Sequence, residues 1–123
     1  MPTTTELLLA NLHRVFGATT AAERHLAAVE IYAPDVVFDD PEGTVIGIEL
    51  VEAKAAELAE STPAGFRFVE DGPVYAGKDS GALAWALGPE GSAPAVRGID
   101  VVTVFEGKIT SLTTLIADAE PTA

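Results

Sequence analysis

The stretch Tyr32-Ala33-Pro34-Asp35-Val36-Val37-Phe38-Asp39-Asp40-Pro41-Glu42-Gly43 decides the fold. Pro34 cannot continue the helical pattern that precedes it. The apolar run that follows is rich in β-branched and aromatic residues, as strands are, and the end of the stretch carries turn residues. The stretch therefore predicts a helix that ends at Pro34, a short strand over residues 36–40, and a turn directly after Asp40.

A second aspartate, Asp100, lies in the apolar run Gly98-Ile99-Asp100-Val101-Val102-Thr103-Val104-Phe105 with no turn signal around it. A carboxylate in apolar surroundings is costly unless it is paired or protonated. Side chains alternate between the two faces of a strand, so Asp100 and Asp40 each share a face with apolar residues. We therefore expect both carboxylates to face one apolar pocket, although turn chemistry is an equally good interpretation of Asp40 taken alone. The expected walls of this pocket are Phe16, Phe38, Trp85 and Val102.

Hydrophobic periodicity along the rest of the chain predicts helices followed by strands. The three helices span Thr4 or Thr5 to about Gly17, Thr20 to about Tyr32, and residues 48–61. The later strands span residues 66–75, 81–87, 95–105 and 108–117, and residues 120–123 are expected to be frayed. Helices first and an antiparallel meander last indicate the α+β class, with three N-terminal helices packed on one face of a curved sheet.

Composition excludes several classes of function. At 123 residues the chain is expected to form a single domain, residues 1–123. A net charge of −12 disfavours binding to nucleic acids and to anionic membranes. The chain has no cysteine and two histidines far apart, which argues against disulfides and a zinc site. It has no transmembrane-length apolar run and no basic secretory start, so we expect a cytoplasmic protein.

In this order of elements, with its Asp-Pro-x-Gly turn after the first strand, the chain resembles the nuclear transport factor 2-like superfamily over nearly its whole length. The superfamily includes ketosteroid isomerases, SnoaL-like polyketide cyclases, scytalone dehydratase and limonene epoxide hydrolase. The resemblance implies a cone-shaped, cystatin-like roll with a curved mixed sheet, an apolar small-molecule ligand, and no metal or organic cofactor. It also implies a homodimer through the sheet face, where Val101, Thr103 and Phe105 are expected to point outward.

The closest motif match is to the ketosteroid isomerases. By that resemblance Asp40 corresponds to the general base, and Asp100 to the protonated aspartic acid that donates to the enolate oxygen, a division of labour known from that enzyme. The tyrosine that supplies the second donor there falls on Phe16, whose ring cannot donate a hydrogen bond. Tyr32 or His13 is a candidate replacement.

These observations lead to one main hypothesis and two alternatives. The main hypothesis is a cofactor-free enzyme that transfers a proton next to a carbonyl on a hydrophobic polycyclic substrate, such as a steroid or polyketide, as a steroid delta-isomerase does. A SnoaL-like cyclase or related hydrolase would use Asp100 as its main acid–base group. A non-catalytic ligand-binding or dimerisation module would use neither aspartate chemically. The expected substrate-binding residues are Phe16, Tyr32, Phe38, Trp85, Gly98 and Val102.

Overall fold

The structure, a computed structural model, describes residues 1–118, so the expected frayed end at 120–123 lies outside the described residues. The helices are α1 (Thr4–Ala10), a π-helical segment (Asn11–Phe16) that continues it, α2 (Ala21–Ile31) and α3 (Ile48–Ser61). The strands are β1 (Tyr32–Asp40), β2 (Gly43–Ile46), β3 (Phe66–Glu70), β4 (Tyr75–Ala76), β5 (Ser80–Pro89), β6 (Val96–Phe105) and β7 (Lys108–Ile116). The α+β class predicted from the sequence is confirmed.

Local sequence signals place most helix ends correctly. Thr3 caps α1 in a reciprocal pair with Glu6, one residue before the expected cap. Thr20 caps α2 as predicted. However, α2 ends at Ile31 and the chain passes straight into β1, so Pro34 lies inside the strand and does not end the helix. The pairing of β1 with β7 is irregular around Pro34, which fits a residue that has no N–H to donate.

The sheet is mixed, as the resemblance implies. Its strand order is β2-β1-β7-β6-β5-β3, with β4 paired to β5. The pair β1–β7 is parallel, and the other pairs are antiparallel. Two details differ from the prediction: the turn after Asp40 is a hairpin that leads into the unpredicted strand β2, and the expected strand 66–75 is split into β3 and β4.

The two faces of the sheet have different surroundings. The inner face and the helices bury one hydrophobic core, which includes Leu8, Leu12, Val51, Leu83, Val102 and Leu112. On β6 the outward residues Val101, Thr103 and Phe105 are exposed, as predicted from strand alternation. No helix among residues 1–118 has both the length and the apolar character needed to cross a membrane.

Gly98 makes room for an aromatic ring. It lies opposite Trp85 in the β5–β6 pairing. A Cβ atom on Gly98 would lie 2.5 Å from Cζ2 of Trp85 and 2.7 Å from the backbone oxygen of Leu115. Gly98 was expected to contact a ligand, but the space beside it is filled by the indole ring.

We expect Gly98→Ala to lower the free energy of unfolding by about 1–3 kcal/mol, because both the rigid ring and the backbone would have to move. Gly77→Ala is the matched control, since its Cβ would meet no atom closer than 3.5 Å. The control should stay within about 0.5 kcal/mol of the wild type. Urea denaturation of both variants measures the difference, and equal effects would contradict the crowding argument.

Candidate active site

Both aspartates face one cavity between the sheet and the helices. The cavity has a volume of about 420 Å³ and lies among Asp40, Asp100 and mostly apolar side chains. Phe16, Phe38 and Trp85 line it as predicted, and the rings of Phe16 and Phe38 lie 5.9 Å apart. The remaining lining residues include Leu12, Lys54, Glu57, Leu58, Phe68, Leu87, Val96 and Thr114.

Two residues expected to bind the substrate do not line the cavity. Val102 is fully buried in the hydrophobic core, so its prediction as a wall residue is wrong. Tyr32 is 1% exposed and also does not line the cavity. Both side chains belong to the hydrophobic core. Tyr32 therefore does not take the place of the missing isomerase tyrosine at the cavity surface.

Asp100 is a buried carboxylate surrounded by neutral donors. Its side chain is 4% exposed. Oδ1 accepts hydrogen bonds from the indole Nε1 of Trp85 at 3.1 Å and from the hydroxyl of Thr114 at 2.8 Å. Oδ2 accepts one from the amide Nδ2 of Asn11 at 3.2 Å. A buried indole N–H needs an acceptor, and for Trp85 this acceptor is Asp100.

Burial changes how readily Asp100 ionises. Loss of solvent raises the pKa of Asp100 from its ordinary value of 3.8 to about 6, although the hydrogen bonds from Thr114, Trp85 and Asn11 act in the opposite direction. Desolvation is the largest cause of this rise, as expected for a carboxylate in an apolar strand, and the charge of Asp40 is not among the causes. A carboxyl group with this pKa exchanges protons close to neutral pH.

Asp40 has a very different environment. Its Oδ2 lies 3.2 Å from Nζ of Lys54, and its Oδ1 accepts a hydrogen bond from the backbone N–H of Glu42 at 2.9 Å. Lys54 is also 2.8 Å from the carboxylate of Glu42. The hydrogen bonds of Lys54 to Glu42 and then to Asp40 raise the pKa of Lys54. Asp40 thus combines the turn chemistry that the sequence suggested with an ion pair that it did not.

Sequence reasoning missed three residues of this site. Lys54 has no distinctive signal in the sequence, because its contacts with Asp40 and Glu42 depend on where α3 packs. Thr114 is an ordinary polar position on a strand. Asn11 had a usable signal: it is the only asparagine of a chain with no glutamine, and it lies among the leucines of the first helix.

The described residues offer no obvious metal centre. Within residues 1–118 no group of three histidine, cysteine, aspartate or glutamate side chains is placed to hold an ion. His13 lies 2.8 Å from Glu70, and His25 lies 3.0 Å from Glu52, so each histidine faces a single carboxylate. Among the described residues that line the cavity, the ionisable groups are four carboxylates and one ammonium group.

Comparisons with known proteins agree on the fold. The family described as SnoaL-like domain matches residues 13–112. None of the curated proteins gives a significant match. The chain is similar to a provisionally assigned isomerase of the SnoaL-like family from Agrobacterium tumefaciens, at 19% identity over 96% of this chain and 100% of that one, with a TM-score of 0.84.

Two further solved structures extend the likeness. A provisionally assigned ketosteroid isomerase from Kribbella flavida is 16% identical over 98% of this chain and 82% of that one, with a TM-score of 0.72. A SnoaL-like polyketide cyclase from Jannaschia, also a provisional assignment, is 19% identical over 94% and 88%, with a TM-score of 0.69. An NTF2-like protein and a cystatin-like one are among the other similar structures, so the fold is the predicted NTF2-like roll.

The raised pKa of Asp100 makes stability depend on pH. Between pH 3.8 and about 6 the folded state binds this proton and the unfolded state releases it, so folding is favoured most at low pH. The contribution is lost as the pH rises through about 6. We expect the free energy of unfolding of the wild type, relative to Asp100→Asn, to fall by about 2–3 kcal/mol from pH 4 to pH 7.

Chemical denaturation of both proteins across this range measures the difference. Asp35→Asn, at an exposed position of β1, controls for the loss of one carboxyl charge. A difference between wild type and Asp100→Asn that stays constant with pH would show that burial does not perturb Asp100.

Proposed function

We propose that this chain, which belongs to the SnoaL-like domain family, is an enzyme that transfers a proton next to a carbonyl group of an apolar substrate, with Asp100 as its acid–base residue. One observation carries the proposal. Asp100 faces an apolar cavity, has no cationic partner among its hydrogen-bond donors, and has its pKa raised by burial to about 6. General acid–base catalysts work best when their pKa lies near the working pH.

This assignment reverses the roles implied by the isomerase resemblance. There Asp40 would be the base and Asp100 a neutral donor. Asp40 instead lies 3.2 Å from Nζ of Lys54 and accepts a hydrogen bond from the N–H of Glu42, so both of its oxygens already have partners. The donors around Asp100 all point toward its oxygens, so they favour the ionised form that accepts a proton. Oδ1 already accepts two hydrogen bonds and Oδ2 only one, which leaves Oδ2 as the oxygen for proton exchange.

Lys54 supplies the complementary group. Among the described residues that line the cavity it is the one cation. When Asp100 removes a proton from the carbon beside a carbonyl, the electron pair of the C–H bond moves to the carbonyl oxygen. An ammonium group facing that oxygen stabilises the enolate. In this role Asp40 and Glu42 hold Lys54 in place and keep it charged.

The enolate can react in two ways, and both are consistent with the family. Return of the proton from Asp100 to a different carbon gives an isomer. Attack of the enolate carbon on a second carbonyl of the same molecule closes a ring, as a polyketide cyclase does, and the new alkoxide takes up the proton. The second outcome gains support from Asp100, since the cyclase hypothesis uses this carboxylate as the main acid–base group.

The cavity favours an uncharged hydrophobic substrate. Its volume falls within the roughly 300–1,000 Å³ of small-molecule sites, and aromatic rings from Phe16, Phe38 and Trp85 line it. Glu42 and Glu57 add negative charge beside Lys54, which disfavours anionic substrates. A steroid or a partly cyclised polyketide has the required chemistry: fused apolar rings and an enolisable ketone.

We expect the wild type to exchange the α-protons of bicyclic and steroidal β,γ-unsaturated ketones for deuterium, followed by NMR. The value of kcat/KM should rise with pH through about 6, because the ionised form of Asp100 is the base. Asp100→Asn should lower the rate about 100- to 10,000-fold. Lys54→Met should lower it about 100- to 1,000-fold by removing the enolate stabiliser.

Asp39→Asn is the matched control, since Asp39 neighbours Asp40 but binds the hydroxyl of Thr44 outside the cavity. Its rate should equal that of the wild type. Loss of exchange in Asp40→Asn but not in Asp100→Asn would restore Asp40 as the base. No exchange of any enolisable ketone, with apolar ligands still bound by wild type and Asp100→Asn alike, would replace the enzyme with a binding module.

We also propose that the protein forms a homodimer through the outer face of the sheet, as the resemblance implies. Phe105 is 65% exposed, and Ile99 and Val101 on the same strand are also exposed. Apolar residues that gather on an exposed face often mark an interface. Val37 on β1 and Leu115 on β7 are further exposed apolar residues of the sheet.

We expect sedimentation at micromolar concentration to give a dimer for the wild type and a monomer for Val101→Asp, because a buried unpaired carboxylate opposes association. Leu50→Asp is the matched control, since Leu50 is an exposed apolar residue of helix α3. It should remain dimeric. A monomeric wild type would refute the proposed interface.

A further inference from the structure

We propose that Asn11 and Tyr32 are positioning residues for Asp100: the tyrosine hydroxyl fixes the amide of Asn11, and this amide orients the carboxylate that exchanges the proton. The proposal rests on the proposed function of Asp100. It assigns a role to two buried polar residues that do not touch the cavity. Neither residue would contact the substrate.

The three side chains form a hydrogen-bonded series in which each donor lies on the side of Tyr32 and each acceptor on the side of Asp100. The hydroxyl of Tyr32 donates to Oδ1 of Asn11, and Nδ2 of Asn11 donates to Oδ2 of Asp100 at 3.2 Å. Asn11 is 0% exposed and Tyr32 is 1% exposed. Water therefore cannot replace either bond, and burying such polar groups is costly unless each finds a partner.

The tyrosine decides which end of the amide faces Asp100. A hydroxyl that donates to Oδ1 of Asn11 leaves the NH₂ end for the carboxylate. A rotated amide would place its oxygen against a carboxylate oxygen, which is repulsive while Asp100 is ionised. Burial, and next the charge of Asp100, raise the pKa of Tyr32 well above its ordinary value, so the hydroxyl keeps its proton and remains a donor.

The backbone under Asn11 is unusual in the same place. Asn11 opens the π-helical segment, in which the N–H of Gly17 bonds to the carbonyl of Leu12, five residues earlier. Single π-helical turns within α-helices occur often at functional sites. Within this segment Asn11 contacts Asp100, and Leu12 and Phe16 line the cavity.

Other titratable groups face the same cavity and are left unchanged by the test. They are Asp40 and Glu42 at the end of β1 and in its turn, and Lys54 and Glu57 on α3. Glu52 adds a smaller electrostatic effect on Tyr32. A shift in the titration of Asp100 after substitution of Asn11 or Tyr32 therefore reports on the hydrogen-bonded chain itself.

The experiment follows the carboxyl carbon of Asp100 by ¹³C NMR as a function of pH in wild type, Tyr32→Phe and Asn11→Leu. We expect Asn11→Leu to raise the pKa of Asp100 by about one unit, because the ionised form loses a donor. Tyr32→Phe should raise it by less, since the amide is freed to rotate but stays present. In the kinetic assay, kcat should fall and its pH profile should shift with the NMR titration, while KM changes little.

Tyr75→Phe is the matched control, because Tyr75 is 69% exposed and outside this network. It should leave the titration unaltered. If Tyr32→Phe and Asn11→Leu lower stability but leave the titration of Asp100 unchanged, both residues are structural and the proposal is wrong. Tyr32→Phe removes only one hydroxyl, so it decides the matter if Asn11→Leu does not fold. The NMR titration needs no substrate, so it separates failure of this proposal from failure of the proposed enzyme activity.

Discussion

The burial of one carboxylate constrains the surrounding structure more than any other feature. Asp100 sits in the middle of β6 at 4% exposure, where an unsatisfied charge would be strongly destabilising. Its three donors come from three different elements, the first helix, β5 and β7. Two of these donors depend on a further residue. Trp85 can reach Asp100 only across a glycine at position 98, and Asn11 is oriented by Tyr32. Helix, strand pairing and side-chain orientation are thus tied to one buried group.

The same cavity gives its two aspartates different surroundings. Asp40 lies at a strand end, where a turn N–H and the ammonium of Lys54 are within reach. Asp100 lies where only neutral donors are present, and desolvation dominates its titration. Two identical side chains therefore have different partners because of their positions in the fold.

Family membership narrows the function only partly. The family match and the similar structures show that the chain has the same fold as provisionally assigned isomerases and cyclases. At 16–19% identity this similarity shows the fold alone. The chemistry has to be inferred from the residues of the cavity. Those residues depart from the isomerase pattern in two respects. Phe16 cannot donate a hydrogen bond, and Asp40 is engaged by Lys54. These two departures are the reason why we propose Asp100 as the acid–base residue and Lys54 as the group that stabilises the enolate.

The sequence by itself determined the features that depend on local periodicity and turn chemistry, namely the direction of strand side chains and the bounds of a helix. Strand alternation placed Asp40 and Asp100 on inward faces and Val101, Thr103 and Phe105 on the outward one, and the bounds of α3 were predicted as observed. Tertiary structure alone decided which groups meet. Asn11 and Asp100 are 89 residues apart, and Tyr32 and Asn11 are 21 apart. The pairing of Lys54 with Asp40 depends on how α3 packs over the end of β1. Periodicity reports the direction of a side chain relative to its own element, whereas these contacts depend on distances between elements, which no local pattern encodes.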